Sequence, residues 1–366
     1  MGERESGYLP TLDGWRAIAV VSTILYHDSR HVLGPSSTDW FQKYGAVGVD
    51  IFFGISGLLI CSRLLQEEQA QGRINLREFY IRRFFRIVPP MLLFLLVIGA
   101  LAAVGLIYVM GKEWLAALLF FRNYSWFSAK AQVTDWFTSH YWSLSVEEHF
   151  YFFLPGLLFF VPKRLRMTAL GTLVALIGAR RFYLQVFRHV SYLAIYKHTD
   201  VRLDALLIPA MLAIALQNQS CRDWFKRLGR LWFAPAIVSV ALLTSEKFPV
   251  LTPLAQSFLI PIMLAATVMQ PAGIFAQMLE WPVARWIGRI SYSLYLWQQL
   301  FFVGHFLKDY QPLGFLNTFP VNWLMVFGCA ALSYYLVERP LIRLGHKYAA
   351  PATPGRPEIA ASGVAG

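Results

Sequence analysis

Arg16 and His27 lie eleven residues apart in an otherwise apolar stretch, LDGWRAIAVVSTILYH. Eleven steps of an α-helix make three turns plus about 20° and rise about 16.5 Å. The two side chains therefore share one face at two depths. Ionisable groups inside an apolar helix are costly unless they face a polar cavity or a partner. An imidazole in such a place is suited to taking a proton from a hydroxyl near neutral pH. The plain alternative is an arginine that snorkels to the lipid headgroups and a histidine that marks the far end of the helix.

Two further stretches carry carboxylates. In GAVGVDIFFGISGLLI, Asp50 opens an apolar helix, either as a charge favoured by the helix N-terminus or as a partner for His27. In HYWSLSVEEHFYFFLP, Ser143, Glu147 and Tyr151 recur at i, i+4 and i+8 and form one polar line. Ser145 and Glu148 have capping-box spacing, which makes Glu148 a helix-start residue. Glu147 has no such role and is the carboxylate that could orient and charge an imidazole. His140 and His149 flank this stretch, but no HExxH-like spacing is present, so no metal is expected.

The segment FYIRRFFRIVPP places Arg82, Arg83 and Arg86 on neighbouring helix faces just before an apolar run. Guanidinium forks suit phosphate oxygens, although arginines here would also serve to hold this end of the helix in the cytoplasm. Further along, TDVRLDALLIP gathers Asp200, Arg202 and Asp204 at a helix start, with Thr199 or Asp200 as the cap. GRISYSLYLWQ is rich in Ser and Tyr, and in YYLVERP, Glu338 and Arg339 read as a local ion pair before a proline stop.

The elements that must position these groups follow from composition. Of 366 residues, 57% are hydrophobic and only 15% charged, against roughly 25% charged in soluble domains. That excludes a compact water-soluble enzyme and a disordered chain. The pattern predicts an all-α polytopic transmembrane helical bundle of about ten spans: 12–30, 44–62, 88–110, 148–162, 167–179, 203–217, 231–244, 253–270, 290–307 and 320–338. Segment 113–121 is too short to cross; if it did, there would be eleven. The bias of Lys and Arg among the loops puts both termini in the cytoplasm. The net charge of +12 is that same bias, so nucleic acid is not an expected partner. Cys61, Cys221 and Cys329 show no disulfide or metal framework. The first apolar run lacks the features of a signal peptide. Residues 1–348 read as one domain, and 349–366, rich in Pro, Ala and Gly, as a disordered cytoplasmic tail.

Taken together, these stretches resemble the acyltransferase-3 family of membrane-bound O-acyltransferases. The resemblance runs from LDGWRAIAVVSTILYH through GVDIFFGISG, RRFFRIVPP, YWSLSVEEHFY and TDVRLDALL to GRISYSLYLW and YYLVERP. No single piece is specific, but seven in one order are. The family's Arg-x10-His pair falls on Arg16 and His27, its Arg-x-x-Arg element on Arg83 and Arg86, and its helix-start Glu on Glu147. The chain departs from many relatives in having Gln298 in place of a histidine and His149 in place of a glutamine. Some relatives carry an esterase-like domain after the last span; this sequence stops soon after Glu338, so a separate periplasmic partner enzyme is the expectation.

The resemblance implies transfer of an acyl group, commonly acetyl from acetyl-CoA, to a carbohydrate or other hydroxyl at the outer side of the bacterial inner membrane. Acyl-CoA would then be a donor substrate and not a resident cofactor. Arg16, Arg82, Arg83 and Arg86 would hold its phosphates. His27 would act as general base, with Glu147 or Asp50 stabilising the imidazolium, and a transient acyl-histidine is the rival chemistry. The acceptor could be a free or lipid-linked carbohydrate, with a macrolide or lipid hydroxyl as the alternative. Two non-enzymatic readings are a polyprenyl-sugar flippase and a structural subunit of an export complex. The sequence lacks the inverted repeats common in transporters.

Overall fold

A computed structural model describes residues 9–33, 44–124, 133–228, 231, 233–245, 251–269, 273–303 and 310–349. Among these the fold is helical, without a strand. In chain order the helices are α1 (Pro10–Leu33), α2 (Val47–Gln71), α3 (Leu76–Ala103), α4 (Gly111–Leu118), α5 (Val133–Ser139), α6 (Tyr141–Phe160), α7 (Lys163–Phe182), α8 (Asp204–Ala215), α9 (Gln219–Leu228), α10 (Phe233–Ser245), α11 (Thr252–Met269), α12 (Gly273–Leu279), α13 (Pro282–Arg289), α14 (Ser291–Phe301), α15 (Val321–Ser333) and α16 (Arg339–Ala349).

Among the described residues, five helical stretches are long and apolar enough to cross a membrane: Val47–Gln71, Leu76–Ala103, Lys163–Phe187, Thr252–Met269 and Val321–Ala349. The other expected spans coincide with helices of a different character. α1 carries Asp13, Arg16 and Asp28, α6 carries Glu147 and Glu148, and α8, α10 and α14 have 12, 13 and 11 residues. Large apolar side chains such as Leu96, Phe152, Phe160, Leu324 and Leu336 point outward and are exposed. A water-soluble surface does not carry so many, and lipid is their natural solvent.

The core is built where backbones approach closely. α2 packs along α8, and a Cβ on Gly57 would come within 2.3 Å of the Leu206 carbonyl oxygen. α1 packs on α13, where a Cβ on Gly288 would lie 1.9 Å from the Asp13 oxygen. Such approaches use small residues because two apolar helices in lipid gain mainly from tight van der Waals contact. α3 lies along α16, and α14 along α15.

Several local expectations are corrected. α6 starts at Tyr141, so Ser145 sits inside its first turns and donates to the Tyr141 carbonyl at 2.9 Å instead of capping. Thr199 is not a cap either: its oxygen accepts from Asn123 at 2.7 Å and lies 2.7 Å from His149 Nδ1. Asp200 is turned to Arg180. Segment 113–121, expected to be too short to cross, overlaps the eight-residue α4 (Gly111–Leu118) and agrees with that expectation; its Trp114 donates to the Leu95 carbonyl at 3.0 Å. Eight residues rise only about 12 Å, far short of a bilayer. The tail beyond Ala349 lies outside the described residues.

Candidate active site

One cavity of about 400 Å³ opens between α1, α2, α3, α6, α13, α14 and the helical end around Glu338. Its lining includes six arginines: Arg16, Arg63, Arg82, Arg83, Arg86 and Arg289. Arg63 and Arg289 are exposed and mark the mouth, whereas Arg16, Arg83 and Arg86 are half-buried. The local sequence explains the clustering. Arg82, Arg83 and Arg86 lie on one stretch of α3, which Asn75 caps by accepting from the Glu78 amide at 3.3 Å.

The arginines are not equally committed. Arg16 bonds Asp13 at 3.0 Å, and Arg82 is held by Glu67 at 3.0 Å and Glu78 at 3.4 Å. Among the described residues, no carboxylate lies within 4.0 Å of Arg63, Arg83, Arg86 or Arg289. Arg83 lies over the Tyr151 ring, 3.4 Å from its centroid, and its buried Nε has no acceptor among the described residues. Like charges confined this closely repel, and the arrangement is favourable when an anion joins them.

Glu147 faces the same cavity and accepts from Ser56 at 2.9 Å. Glu338, buried, accepts from Ser293 at 2.8 Å, while Arg339 turns to the Tyr335 ring. The expected Glu338–Arg339 pair is therefore absent, because consecutive helical residues point to different faces. The lining also includes Ser143 and Tyr295, both buried, whose hydroxyl oxygens are 2.6 Å apart.

His27 and Asp50 are not among the lining residues. The His27 ring sits near the far end of α1, with Nδ1 2.9 Å from the Thr23 carbonyl and its centroid 5.6 Å from Trp136. The helix kinks at the next residue: Asp28 has φ −144° and ψ 36°, and its buried carboxylate accepts from Asn322 at 3.0 Å and Trp323 at 2.8 Å. Asp50 is ion-paired with Arg202. The structure thus gathers Arg16, Arg82, Arg83, Arg86 and Glu147 around one cavity and places His27 and Asp50 outside it. Sequence reasoning passed over Arg63, Arg289, Glu338 and Tyr295 as site residues. Arg63 and Arg289 lie at the edges of expected spans, where Lys and Arg read only as topology signals, and the Ser/Tyr richness of 288–298 is the available signal for Tyr295.

The sequence matches the acyltransferase domain of the acyltransferase-3 family over residues 9–338, so the chain belongs to that family. With its apolar helices, this makes it an integral membrane protein. It is similar to "Putative O-acetyltransferase SACOL0978" of Staphylococcus aureus strain COL, at 31% identity over 93% of this chain and 58% of the relative. It is likewise similar to O-acetyltransferase OatA of Staphylococcus aureus strain NCTC 8325, at 28% identity over 93% of this chain and 58% of the relative. The chain therefore spans somewhat over half the length of these curated relatives. No solved structure matches.

Proposed function

We propose that the chain is a membrane O-acyltransferase that moves an acetyl group from cytoplasmic acetyl-CoA to a hydroxyl of a carbohydrate outside the bacterial inner membrane. The single observation that carries this reading is the arginine-rich cavity with four guanidiniums that have no carboxylate partner among the described residues. Coenzyme A offers what such a cavity lacks: a diphosphate and a 3′-phosphate at one end and a slender thioester arm at the other.

In this reading Arg63, Arg82 and Arg289 meet the donor at the mouth, and Arg16, Arg83 and Arg86 bind phosphate oxygens deeper in. Charge-assisted, forked hydrogen bonds favour arginine for this task. The thioester arm then runs toward Ser143 and Tyr295, between apolar side chains such as Phe52 and Leu144. His27 takes the proton of the acceptor hydroxyl. Glu147 sits beside Arg83 and Ser56 and serves to fix the arginine cluster, leaving His27 to other neighbours. The names of the relatives support acetyl as the acyl group.

The reading is tested in membrane vesicles containing the protein, with acetyl-CoA labelled on the acetyl group and envelope carbohydrate as acceptor. Label should appear on the carbohydrate, and glycan mass spectrometry should show acetylation that a deletion strain lacks. Label that stays on CoA in the presence of the full acceptor pool would reject it.

A further inference from the structure

The imidazole of His140 lies against Tyr295, a residue of the cavity lining, and has no part in the function proposed so far. It is buried, and neither ring nitrogen has a hydrogen-bond partner among the described residues. A buried polar side chain with both of its hydrogen-bonding atoms unmatched is expensive, and fold stability alone gives no reason for it. An apolar side chain of similar size would suit the surroundings better, since the ring packs edge-on against Phe94 at 5.4 Å, Tyr141 at 4.8 Å and Tyr295 at 5.6 Å.

Its position is fixed from both sides. Tyr295 donates to the His140 carbonyl at 3.1 Å, and Ser143 lies 3.3 Å from the same oxygen. Both residues line the arginine-lined cavity and are buried. On the other side, Trp136, one helical turn earlier, touches His27, and Trp136 donates to the Gln299 carbonyl at 2.8 Å, which ties this wall to α14. His27 and Arg122 are the titratable neighbours of the His140 ring. Ser143 and Tyr295 line the cavity, and His140 lies directly behind them, its ring 5.6 Å from that of Tyr295; neither His140 nor His27 is itself a lining residue.

Resting on the acyltransferase reading above, we propose that His140 is a catalytic residue that carries the acyl group between donor and acceptor. In the first half-reaction a ring nitrogen attacks the thioester carbonyl, the carbon–nitrogen bond forms and the carbon–sulfur bond breaks. The proton on the other ring nitrogen passes to the departing thiolate, giving CoA thiol and a neutral acyl-imidazole. In the second, the acceptor hydroxyl attacks the acyl carbon while His27 takes its proton. The carbon–nitrogen bond breaks, and the proton on His27 returns to His140. Both imidazoles are regenerated, and donor and acceptor never need to occupy the site together.

The test uses the full-length protein in membranes, with acetyl-CoA alone and then with acceptor. Without acceptor, the wild type should release about one equivalent of CoA thiol in a burst, the signature of a covalent intermediate. His27→Gln should keep the burst and lose turnover. His140→Gln should lose both, with acyl transfer down at least about 10²-fold. His140→Phe keeps an aromatic ring among Phe94, Tyr141 and Tyr295 and should insert at the wild-type level, still without a burst. A burst in His140→Phe, or transfer near the wild-type rate in either His140 variant, would overturn the assignment while leaving the acyltransferase reading intact. Transfer by the wild type without any burst would likewise overturn it in favour of direct transfer. Failure of the wild type to transfer label to any acceptor would instead remove the reading on which it rests.

Discussion

The guanidinium of Arg83 stacks on the ring of Tyr151 at 3.4 Å, one helical turn from Glu147 on the same face of α6. The contact holds Arg83 at the cavity lining, where no carboxylate among the described residues pairs with it. Arg83→Ala should therefore raise the apparent KM for acyl-CoA by about 10- to 100-fold, as expected for loss of a charged hydrogen bond of about 1.5–3 kcal/mol. Arg83→Lys should recover only part of this, because an ammonium has neither the planar stack nor the fork. Donor titration in membranes matched for protein content checks both. An arginine serving only topology would change insertion and leave KM alone.

The next expectation concerns register along α1. Its helical path is unbroken from Arg16 to His27, and the kink follows at Asp28. Inserting one Ala after Val21 turns the two side chains about 100° apart and adds about 1.5 Å. Acyl transfer should collapse while membrane level and tag accessibility stay as in the wild type. A snorkelling arginine and an interfacial histidine would tolerate the insertion, because helix tilt absorbs it at modest cost.

Packing gives a paired expectation. Gly288→Ala drives a methyl group against the Asp13 backbone oxygen, 1.9 Å from the new Cβ, and neither backbone can give way easily. Overpacking of this kind costs about 1–3 kcal/mol or more. Gly156→Ala has open space around it within α6, and Ala is the better helix former by about 0.8–1.0 kcal/mol. Thermal unfolding in detergent should show Tm falling for the first and unchanged or higher for the second.

Lys197 offers a pH signature outside the spans. Its ammonium lies 5.7 Å from the Tyr196 ring, and burial, with the Arg122 charge adding to it, pushes its pKa down to about 8. Because the folded value lies below the unfolded one, the unfolded chain binds more protons between about pH 8 and 10.5. The charged lysine therefore destabilises the fold fully below pH 8, and the penalty disappears as pH rises through that window. Lys197→Met should be the more stable protein at pH 7, by on the order of 2 kcal/mol, and should lose its advantage by pH 10.5. Paired melting curves at the two pH values check the sign.

Much of the cavity was legible because it is written in local periodicity. Arg82, Arg83 and Arg86 fall on one helix, as do Ser143, Glu147 and Tyr151, so spacing alone told which side chains travel together. What spacing does not encode is which helix faces which. Asp50 meets Arg202 across 152 residues of chain, and Ser56 meets Glu147 across 91. Nothing near Asp50 in sequence distinguishes that partner from His27. Glu338 was misread for the same reason: its neighbour in sequence is Arg339, but its neighbour in space is Ser293, on another helix. The capping-box reading of Ser145 failed because α6 begins four residues earlier, and a motif match cannot see where the preceding turn ends.

The two ends of α1 are both fastened. At the foot, the Asp13 backbone is wedged against Gly288, and at the kink the Asp28 carboxylate is fastened to Asn322 and Trp323. A rod gripped at two points can neither slide nor swing, so the interval between Arg16 and His27 behaves as a ruler built into the fold. The Arg16 guanidinium inside the cavity and the His27 ring outside it therefore keep their separation as one rigid unit of the fold.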